Sequence, residues 1–487
     1  MSNNTKVSVI QQILKLKNSV LQFSHLPFTD ILSTEALLTI IEHSTSSRER
    51  LFTPLVTLQA FIFQVLSADG SCRQAVSHVL AERLLQGQSA NSINTGAYCN
   101  ARKRLPLEPL KDAVASSGNT LHQQAHQSWL WKGHNTLLTD GTTVLMPDTP
   151  ENQATFPQQT CQKPGLGFPI VRIVGLISLS VGSILSYATG SYQGKGSGET
   201  SLFSQLIGFI APNDLLLADR YYCTWAIIAL MKQQGSHMLV QNHAQRKPDF
   251  NLGQQLAAKD HLIEWKKPKR KPDWLSQDDY KALPDEILIR EFAVNGKVYV
   301  TTLLDVKKYH RKELAEHYAK RWLIELDFRS IKTHMKMDML RCKSSELVQK
   351  EIAVFLLAYN LIRASIARAA TVMRKIPRQI SFMTAVQLLN EGVLLLMQLS
   401  GKNLKQVIDG LLKAIASIPV GQTKRRPQPR AIKRRPKPYP LLTIPRKQAC
   451  RGLPHIILID FSLIFFTSLV FLCYSRPPSL GIITQNQ

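Results

Sequence analysis

Two short apolar runs decide the fold: NTLLTDGTTV at residues 135–144 and DLLLAD at residues 214–219. Runs of this length, bounded by polar residues, are typical of buried strands. Between them, residues 170–192 hold two β-rich runs around a Val-Gly-Ser turn, which predicts a hairpin. After them, residues 225–234 have a helical pattern and residues 237–241 are another short strand. Three strands followed by alternating helix and strand predict an α/β domain with a mixed central sheet.

Helical patterns flank this domain on both sides. Residues 1–125 carry apolar residues at three- and four-residue spacing, and residues 350–417 are mostly helical in pattern. One long helix is predicted over residues 312–337. Between about 244 and 306 the alternation of helix and strand is interrupted by β-rich runs around an Asn-Gly turn, which predicts a β-rich insertion. The basic end of the first region, YCNARKR at residues 98–104, is either a DNA-contacting helix or a solvated charged face.

The composition favours a multidomain globular protein with an anionic partner. The chain has 487 residues, is 44% hydrophobic, and carries 60 Lys and Arg against 34 Asp and Glu, a net charge of +26. A charge excess of this size needs a polyanion to offset it, with nucleic acid the first candidate and an anionic membrane surface the second. The seven cysteines are scattered without a Cys-x2-Cys pair, which favours a reducing cytosol. We expect a cytoplasmic protein associated with the nucleoid.

The C-terminal part of the chain has an unusual composition. Residues 424–437 (KRRPQPRAIKRRPK) hold eight Lys or Arg, three prolines and no acidic residue. This segment is either an extended arm that follows DNA phosphates or a solubilising linker. The expected phosphate contacts in this arm are Lys424, Arg425, Arg426, Lys433, Arg434 and Arg435. Residues 456–474 form a 19-residue apolar run with one charge, Asp460, which is either a tail anchor or a C-terminal extension; a membrane partner is not expected.

These patterns divide the chain into five regions. They are an N-terminal helical region (1–125) that we expect to bind DNA, an α/β core (126–349) with an insertion at about 244–306, a C-terminal helical region (350–420), a basic proline-rich arm (421–447) and an atypical apolar tail (448–487).

Three acidic residues are candidates for chemistry. Asp140 and Asp219 end the two apolar runs, and the edge of an α/β sheet at strand ends is where ligands bind, although such residues are also common in turns. The third is Glu325. At about 100° per residue, Tyr318, Arg321, Glu325 and Lys332 fall on one stripe of the predicted helix, opposite an apolar face. By spacing alone this stripe is equally consistent with an ion-paired solvent face.

The stripe and the two aspartates also resemble a known family. The spacing Tyr318-x2-Arg321-x3-Glu325-x6-Lys332 matches the signature of bacterial DDE transposases in the branch named for insertion sequence four. The segment from Asp140 to Thr143 is similar to the first catalytic block of that family, and the segment from Asp219 to Tyr222 to its second. The resemblance covers roughly residues 45 to 447, in the right order, and is absent from the apolar tail.

The resemblance implies a fold and a site. The fold is a ribonuclease-H-like mixed-sheet core with a β-rich insertion, flanked by N-terminal and C-terminal helical regions. Asp140, Asp219 and Glu325 would be catalytic and would bind two Mg²⁺ ions, for which Mn²⁺ can substitute. Arg220, Arg321 and Lys332 would contact DNA phosphates, and Tyr318 would hydrogen-bond one. Trp322 is either a stacking platform for an extruded base or a residue packed against the insertion. A second stacking Trp is missing from the later part of the insertion, where Tyr299 is a possible substitute.

The expected function is that of a transposase. It would bind the terminal inverted repeats of an insertion sequence, cut the DNA in a metal-dependent reaction and join the 3′ ends to a target, with cut-and-paste through a hairpin as the favoured route. The partners would be double-stranded DNA, both transposon ends and target, and a second copy of the chain in a homodimer. A catalytically inactive DNA-binding relative, or an inhibitor of transposition, is the alternative. The charge of +26 and the basic arm exclude a glycoside hydrolase with paired carboxylates.

Overall fold

The computed structural model describes residues 3–20, 28, 30–44, 51–89, 92–194, 196–396, 399, 401–420, 443–445 and 448. Within these residues one sheet contains nine strands: β1 (Thr136–Leu145), β2 (Ile170–Ser178), β3 (Ile184–Ser191), β4 (Leu215–Ala218), β5 (His237–Gln241), β6 (Gln254–Ala257), β7 (Asp260–Lys266), β8 (Glu286–Val294) and β9 (Lys297–Thr301). The strand order is β3-β2-β1-β4-β5-β9-β8-β7-β6. The predicted mixed sheet is therefore confirmed.

The first five strands form a ribonuclease-H-like core. Strands β1, β2 and β3 pair antiparallel, whereas β4 and β5 lie parallel to β1 on its other side. The β2–β3 connection turns at Gly182, whose φ of 82° is a left-handed conformation that favours glycine. Strands β4 and β5 are buried along almost their whole length, as expected for parallel strands covered on both faces. The fold class expected from the sequence is correct.

The β-rich segment extends this same sheet. Strand β9 pairs antiparallel with β5, and β8, β7 and β6 follow it outward. The predicted Asn-Gly turn joins β8 to β9 with positive φ at both Asn295 (51°) and Gly296 (74°), which matches the twist of a tight hairpin. Inside this part, the Arg290 guanidinium donates to both carboxylate oxygens of buried Asp260, at 2.8 and 2.7 Å.

Helices cover the sheet. They are α1 (Asn3–Ser19), α2 (Thr34–Glu42), α3 (Pro54–Leu66), α4 (Cys72–Leu85), α5 (Gly96–Arg104), α6 (Leu107–Gln123), α7 (Pro150–Thr155), α8 (Glu199–Ser204), α9 (Trp225–Gln233), α10 (Gln277–Ala282), α11 (Arg311–Ala319), α12 (Leu323–Arg329), α13 (Ser345–Val372), α14 (Phe382–Leu396) and α15 (Gly401–Ser417). Helix α13 packs against α3, α6, α14 and α15, so helices from both ends of the chain share one core with the sheet. All these elements belong to one unit, Met1–Gln162 with Gly167–Ile432. The region boundaries given above stay predictions.

Asn360, near the middle of α13, ties three elements together. Its side-chain amide donates to the carbonyls of Val114 and Ile184, at 3.1 and 3.0 Å, and to the Ser117 hydroxyl at 3.0 Å. Its amide oxygen accepts from the Ile184 N–H at 2.8 Å. Because all of these groups are buried, the amide satisfies polar atoms that would otherwise be costly to bury.

The single long helix predicted over residues 312–337 is wrong in detail. Helix α11 ends at Ala319, a 3₁₀ turn covers Lys320–Trp322, α12 follows, and the segment Ser330–His334 is a π-helix. A 3₁₀ turn is tighter than an α-helix and a π-helix is wider, so a uniform 100° per residue does not describe which side chains share a face. The predicted apolar side is nevertheless correct, since Ile324, Phe328, Ile331 and Met335 are buried.

Among the described residues, α13 is long and apolar enough to cross a membrane by length and composition. The apolar window of this helix is entirely buried inside the protein, as expected for the central helix of a globular core. The apolar run at residues 456–474 lies outside the described residues.

Candidate active site

Strand register brings Asp140 and Asp219 together. Strands β1 and β4 pair in parallel at Leu138 and Leu217, and each aspartate lies two residues beyond that pair. Side chains two residues apart point to the same face, and neighbouring strands are about 4.8 Å apart. Strand β4 ends at Ala218, whereas β1 continues to Leu145. The two carboxylates therefore lie where β1 loses β4 as its neighbouring strand.

Helix α12 brings Glu325 to the same place. Asp140 pairs across the sheet with Gly175, and the Phe328 ring lies over Gly175 at the distance of an ordinary van der Waals contact, 3.5 Å from the position of an added Cβ. This packing fixes the helix against β1 and β2. The Arg321 guanidinium then lies between two carboxylates, 3.4 Å from an Asp140 oxygen and 3.8 Å from a Glu325 oxygen. Arg321 thus links two of the three predicted acidic residues, Asp140 and Glu325, and the strand register places Asp219 next to Asp140.

The pKa of Asp140 reflects both its burial and the charged groups around it. Burial raises the pKa of Asp140 to about 6. The Gly141 N–H and the Arg321 guanidinium oppose this rise, whereas the nearby carboxylates of Glu199 and Asp219 add to it. A cation bound at the site would relieve this repulsion, because an opposite charge favours the ionised form.

The donor set suits a hard divalent cation, because carboxylate oxygens are the ligands that Mg²⁺ prefers. In the part of the chain that the structure describes, however, no three His, Cys, Asp or Glu side chains already converge as a metal-binding group. On the Glu325 side, the Arg321 guanidinium lies between the carboxylates of Asp140 and Glu325. A metal ion held by Asp140 and Glu325 would compete with Arg321 for the same oxygens.

Lys332 also reaches the site. Its ammonium donates to the Thr142 hydroxyl at 3.3 Å, two residues along β1 from Asp140. Lys332 lies in the π-helical segment, a feature that is frequent at functional sites. Both predicted phosphate-binding cations of the stripe, Arg321 and Lys332, therefore lie beside Asp140.

Two predicted roles for tyrosines are wrong. Tyr318 is only 8% exposed and donates its hydroxyl to the Ala218 carbonyl at 3.1 Å, so it supports the residue before Asp219 and does not reach a phosphate. Burial raises its pKa to about 12. Tyr299 is 6% exposed and packs between Phe292 and Tyr318, so it cannot replace a missing stacking Trp.

Accessible aromatic rings flank the carboxylates. Trp322, which the sequence singled out, is 53% exposed. Tyr221 is 59% exposed in the turn that follows Asp219, with the exposed Arg220 guanidinium 5.5 Å from its ring centre. Sequence reasoning missed Tyr221, because only the strand end before it carried a signal.

A buried network anchors the helix that carries Glu325. Asp327 accepts hydrogen bonds from the Tyr359 hydroxyl at 2.9 Å and the Arg363 guanidinium at 2.7 Å, both on α13, and from Arg378. Arg378 also donates to the carbonyls of Ser178 and Leu179 at the end of β2. One carboxylate therefore joins α12, α13 and the sheet. The sequence offered little indication of this network, because Asp327 appeared only as one acidic residue on the apolar face of the predicted helix.

Other predicted DNA contacts have different outcomes. In the basic segment at residues 98–104, Tyr98 and Arg102 are buried in α5, and the Arg102 guanidinium faces Cys72, Cys99 and Cys342, so neither can contact DNA. Lys103 in the same helix is exposed. The six arm residues between Lys424 and Arg435 lie outside the described residues.

Comparison with known proteins shows which class of protein residues 131–361 resemble. The family model described as "Transposase DDE domain" matches residues 131–361, which contain all nine strands of the described sheet together with α11 and α12. The part of the chain that forms the mixed sheet is therefore similar to the DDE domain of transposases.

A curated relative is similar over a longer part of the chain. The transposase InsG of insertion sequence element IS4 from Escherichia coli (strain K12) is 29% identical over 361 residues, 72% of this chain and 78% of the relative. The cryo-EM structure of a piggyBac transposase synaptic complex with hairpin DNA matches with a TM-score of 0.41 and 8% identity, over 83% of this chain and 85% of that one. The chain is thus similar to DDE transposases, and among them to one that belongs to insertion sequence element IS4.

Proposed function

We propose that this protein is a transposase that binds the terminal inverted repeats of an insertion sequence, cuts the DNA there and joins the freed 3′ ends to a target. The observation that carries the proposal is the grouping of Asp140, Asp219 and Glu325. Asp219 follows the end of β4, whereas Asp140 lies within the neighbouring strand β1 and not at its end as the sequence predicted, and Glu325 is linked to Asp140 through Arg321. Carboxylates grouped in this way suit phosphodiester chemistry, in which an anionic substrate must be held and an attacking oxygen activated.

We assign Asp140, Asp219 and Glu325 as the metal ligands. DDE transposase domains generally use divalent metal ions, and we infer two Mg²⁺ ions here, with Mn²⁺ as a substitute. When bound, they would activate the attacking water or 3′-hydroxyl and stabilise the leaving oxygen. Asp140 and Asp219 would hold their oxygens in place through the rigid β1 and β4 backbone. Release of Arg321 from Asp140 would free its guanidinium for a DNA phosphate.

The remaining cations and aromatic rings would position the DNA end. Lys332 lies within reach of a strand that passes over Thr142, and Arg220 is exposed beside Asp219. A hairpin intermediate requires an unstacked terminal base, and base stacking on an aromatic ring is worth about 1–3 kcal/mol. The exposed Trp322 and Tyr221 suit that role. In Trp322→Ala we expect a nearly normal first nick but several-fold less hairpin, measured on labelled end DNA in a denaturing gel.

A homodimer would hold two transposon ends together. The C-terminal helices support this proposal with a group of exposed apolar residues at the end of α13 and after α15. These residues are Val372, Met373, Ile376, Ile418 and Val420. Because the segments that carry them hydrogen-bond to each other, for example Ser381 N–H to the Ile418 carbonyl at 3.0 Å, they form one surface. An Ile376→Glu change should reduce the two-copy DNA complex in sedimentation experiments, while single-end binding persists.

A cleavage assay tests the proposed function. The substrate is linear DNA with the ends that flank the gene, with Mg²⁺ or with a chelator. We expect nicks at the ends that need Mg²⁺ and are lost in Asp140→Asn, Asp219→Asn and Glu325→Gln, while end binding is retained. The matched control is Glu316→Gln, an exposed carboxylate on α11, which should cut normally. End binding without nicks by the wild type would instead support an inactive relative or an inhibitor of transposition.

A further inference from the structure

Three cysteine sulfurs lie around one buried arginine, away from the carboxylates of the site. The Arg102 guanidinium reaches two of them with the same nitrogen, Nη2, which is 3.2 Å from the Cys72 sulfur and 3.8 Å from the Cys99 sulfur. Its other terminal nitrogen, Nη1, is 3.8 Å from the Cys342 sulfur. Cys72 begins α4, Cys99 lies in α5, and Cys342 precedes α13. The cluster therefore joins thiols from three separate parts of the chain.

The charge of Arg102 has no carboxylate in contact with it. The side chain is only 7% exposed, and no salt bridge among the described residues includes it. Its Nε is buried without a hydrogen-bond partner, and the amide oxygen of Gln64 lies 3.5 Å from Nη1. A buried guanidinium is costly unless an anion offsets its charge. The surroundings of Arg102 therefore favour negative charge on a neighbouring sulfur, and they disfavour a bound metal cation.

Cys72 is the thiol best placed to react. Cys72 and Cys99 are both partly exposed, whereas Cys342 is buried. Cys72 is also the first residue of α4, where the helix dipole favours an anion, and the Gln64 amide donates to its sulfur at 3.8 Å. Burial raises the pKa of the Cys72 thiol, and the adjacent Cys99 thiol adds to this rise, whereas the Arg102 charge opposes it. The resting cluster is therefore a dithiol whose anion Arg102 and Gln64 stabilise.

We propose that Cys72 and Cys99 are a reversible thiol–disulfide pair that hydrogen peroxide oxidises. The Cys72 thiolate attacks one peroxide oxygen, the O–O bond breaks and hydroxide leaves, which makes a sulfenic acid. The Cys99 thiolate then attacks the Cys72 sulfur, so that the S–S bond forms and the S–O bond breaks with loss of a second hydroxide. The two thiol protons convert both hydroxides to water, and the two electrons lost by the sulfurs reduce the peroxide.

The disulfide would weaken the junction between the N-terminal helices and the rest of the protein. Nη2 of Arg102 would lose both of its ionisable acceptors, although the guanidinium stays charged. Arg102 also contacts Cys342, in the connection that pairs with the end of β1, and the next residue, Lys103, accepts from the buried Lys350 of α13 through its carbonyl at 2.7 Å. We therefore expect oxidation to lower the stability of the protein and the rate of DNA cleavage. The effect on cleavage, unlike the pair itself, rests on the proposed function.

The simpler explanation is that these cysteines only fill space as small apolar side chains. Two variants are matched controls for this explanation. Cys342→Ser removes the third sulfur beside Arg102 and leaves the pair intact. Cys161→Ser removes an exposed thiol outside the cluster. Neither change should prevent the disulfide, whereas Cys72→Ser and Cys99→Ser each remove one of its two sulfurs.

The test treats the reduced full-length protein with hydrogen peroxide, alkylates the remaining thiols in denaturant and maps linked peptides by mass spectrometry. We expect a peptide that joins Cys72 to Cys99 in the wild type and in both controls, and its loss after dithiothreitol. Oxidised wild type should unfold at a lower temperature than the reduced protein. Cleavage of end DNA should fall about 10-fold, as for a small misplacement of catalytic groups, and recover with dithiothreitol. Cys72→Ser should keep its cleavage rate in peroxide.

The outcomes separate this inference from the proposed function. Absence of the linked peptide, or a link from Cys72 to Cys342 in its place, would overturn the pair whatever the cleavage rates are. A mapped pair with equal cleavage before and after peroxide would support the pair and overturn its effect on cleavage. If the reduced wild type does not cut DNA at all, the proposed function fails, and the peptide map and the unfolding temperatures still decide about the pair. Thermal unfolding of each reduced variant checks that it is folded.

Discussion

At the scale of single residues, Lys332 offers a clean test of substrate positioning. Its ammonium contacts only the Thr142 hydroxyl among the hydrogen bonds of the described residues, and it is partly exposed. Lys332→Ala should therefore change the free energy of unfolding by no more than about 0.5 kcal/mol, as for ordinary surface positions. We expect strand joining and hairpin formation to fall more than 10-fold, because a phosphate contact next to Asp140 is lost. Product analysis on labelled ends measures both steps.

Lys343→Ala is the control for that change. Lys343 is exposed and lies in the connection that follows the π-helix. Among the described interactions, its side chain makes no contact with the carboxylates of the site. Its product pattern should equal that of the wild type. An unchanged pattern in Lys332→Ala, or an equal loss in both variants, would remove Lys332 from the site.

His317 makes the stability of the fold depend on pH. It is buried, stacks on Trp131 with ring centres 4.3 Å apart, and has its Nε2 3.0 Å from the Thr136 hydroxyl oxygen. Burial first, and the nearby Lys320 and His134 charges second, lower its pKa to about 3. The unfolded chain takes up a proton below about pH 6.5 and the folded chain resists until about pH 3. The free energy of unfolding should therefore fall as the pH falls through this window.

His317→Gln removes this one contribution. Between pH 6.5 and 5, the wild type should lose up to about 2 kcal/mol more stability than the variant, at about 1.4 kcal/mol per pH unit. Urea unfolding at both pH values measures the difference, and His310→Gln, at an exposed histidine, should behave like the wild type. Parallel pH curves for wild type and His317→Gln would show that folding does not lower the pKa of His317.

At the scale of elements, close packing of α6 on β3 depends on one glycine. A Cβ added at Gly118 would lie 1.8 Å from the Ile184 carbonyl oxygen, a backbone atom that cannot move alone. Gly118→Ala should separate the helix from the sheet and cost about 3 kcal/mol or more. Gly410, within α15, has no atom of another element within 4 Å of the same position, so Gly410→Ala should stabilise by about 0.5–1 kcal/mol. Opposite shifts in denaturation midpoint are expected, and equal shifts would contradict this packing.

The elements also show how far the sequence was informative. The apolar runs predicted β1, β4 and β5 well, because a strand that is buried on both faces has a nearly continuous run of apolar residues. That β9 would pair with β5 was not predictable, since pairing between distant segments leaves no local pattern. Tyr318 was assigned to an exposed line because the 3₁₀ turn at Lys320–Trp322 cannot be read from helical spacing. The contact between Glu199 and Gly141 carried no sequence signal either, because the two residues are distant in the chain.

At the scale of the whole molecule, the net charge of +26 favours a polyanionic partner, for which we propose DNA. The carboxylates of the site are few, and several cations of the core are already engaged in the protein, such as Arg363 and Arg378 with Asp327 and Arg290 with Asp260. Much of the excess therefore has to come from exposed side chains and from the basic arm at residues 421–447, which lies outside the described residues. The arm is thus the region where DNA affinity and catalysis can be separated.

Neutralising the arm tests this division of roles. Exchanging Lys424, Arg425, Arg426, Lys433, Arg434 and Arg435 for glutamine should weaken binding to end DNA and flatten its salt dependence. Each phosphate contact contributes about 0.9 to the slope of log K against log salt concentration, so the slope should fall by up to about five. Thermal stability without DNA should not change, and cleavage at low salt and saturating protein should persist, because the carboxylates are intact. An unchanged slope, measured by fluorescence anisotropy between about 50 and 200 mM salt, would show that the arm only links the helical region to the tail.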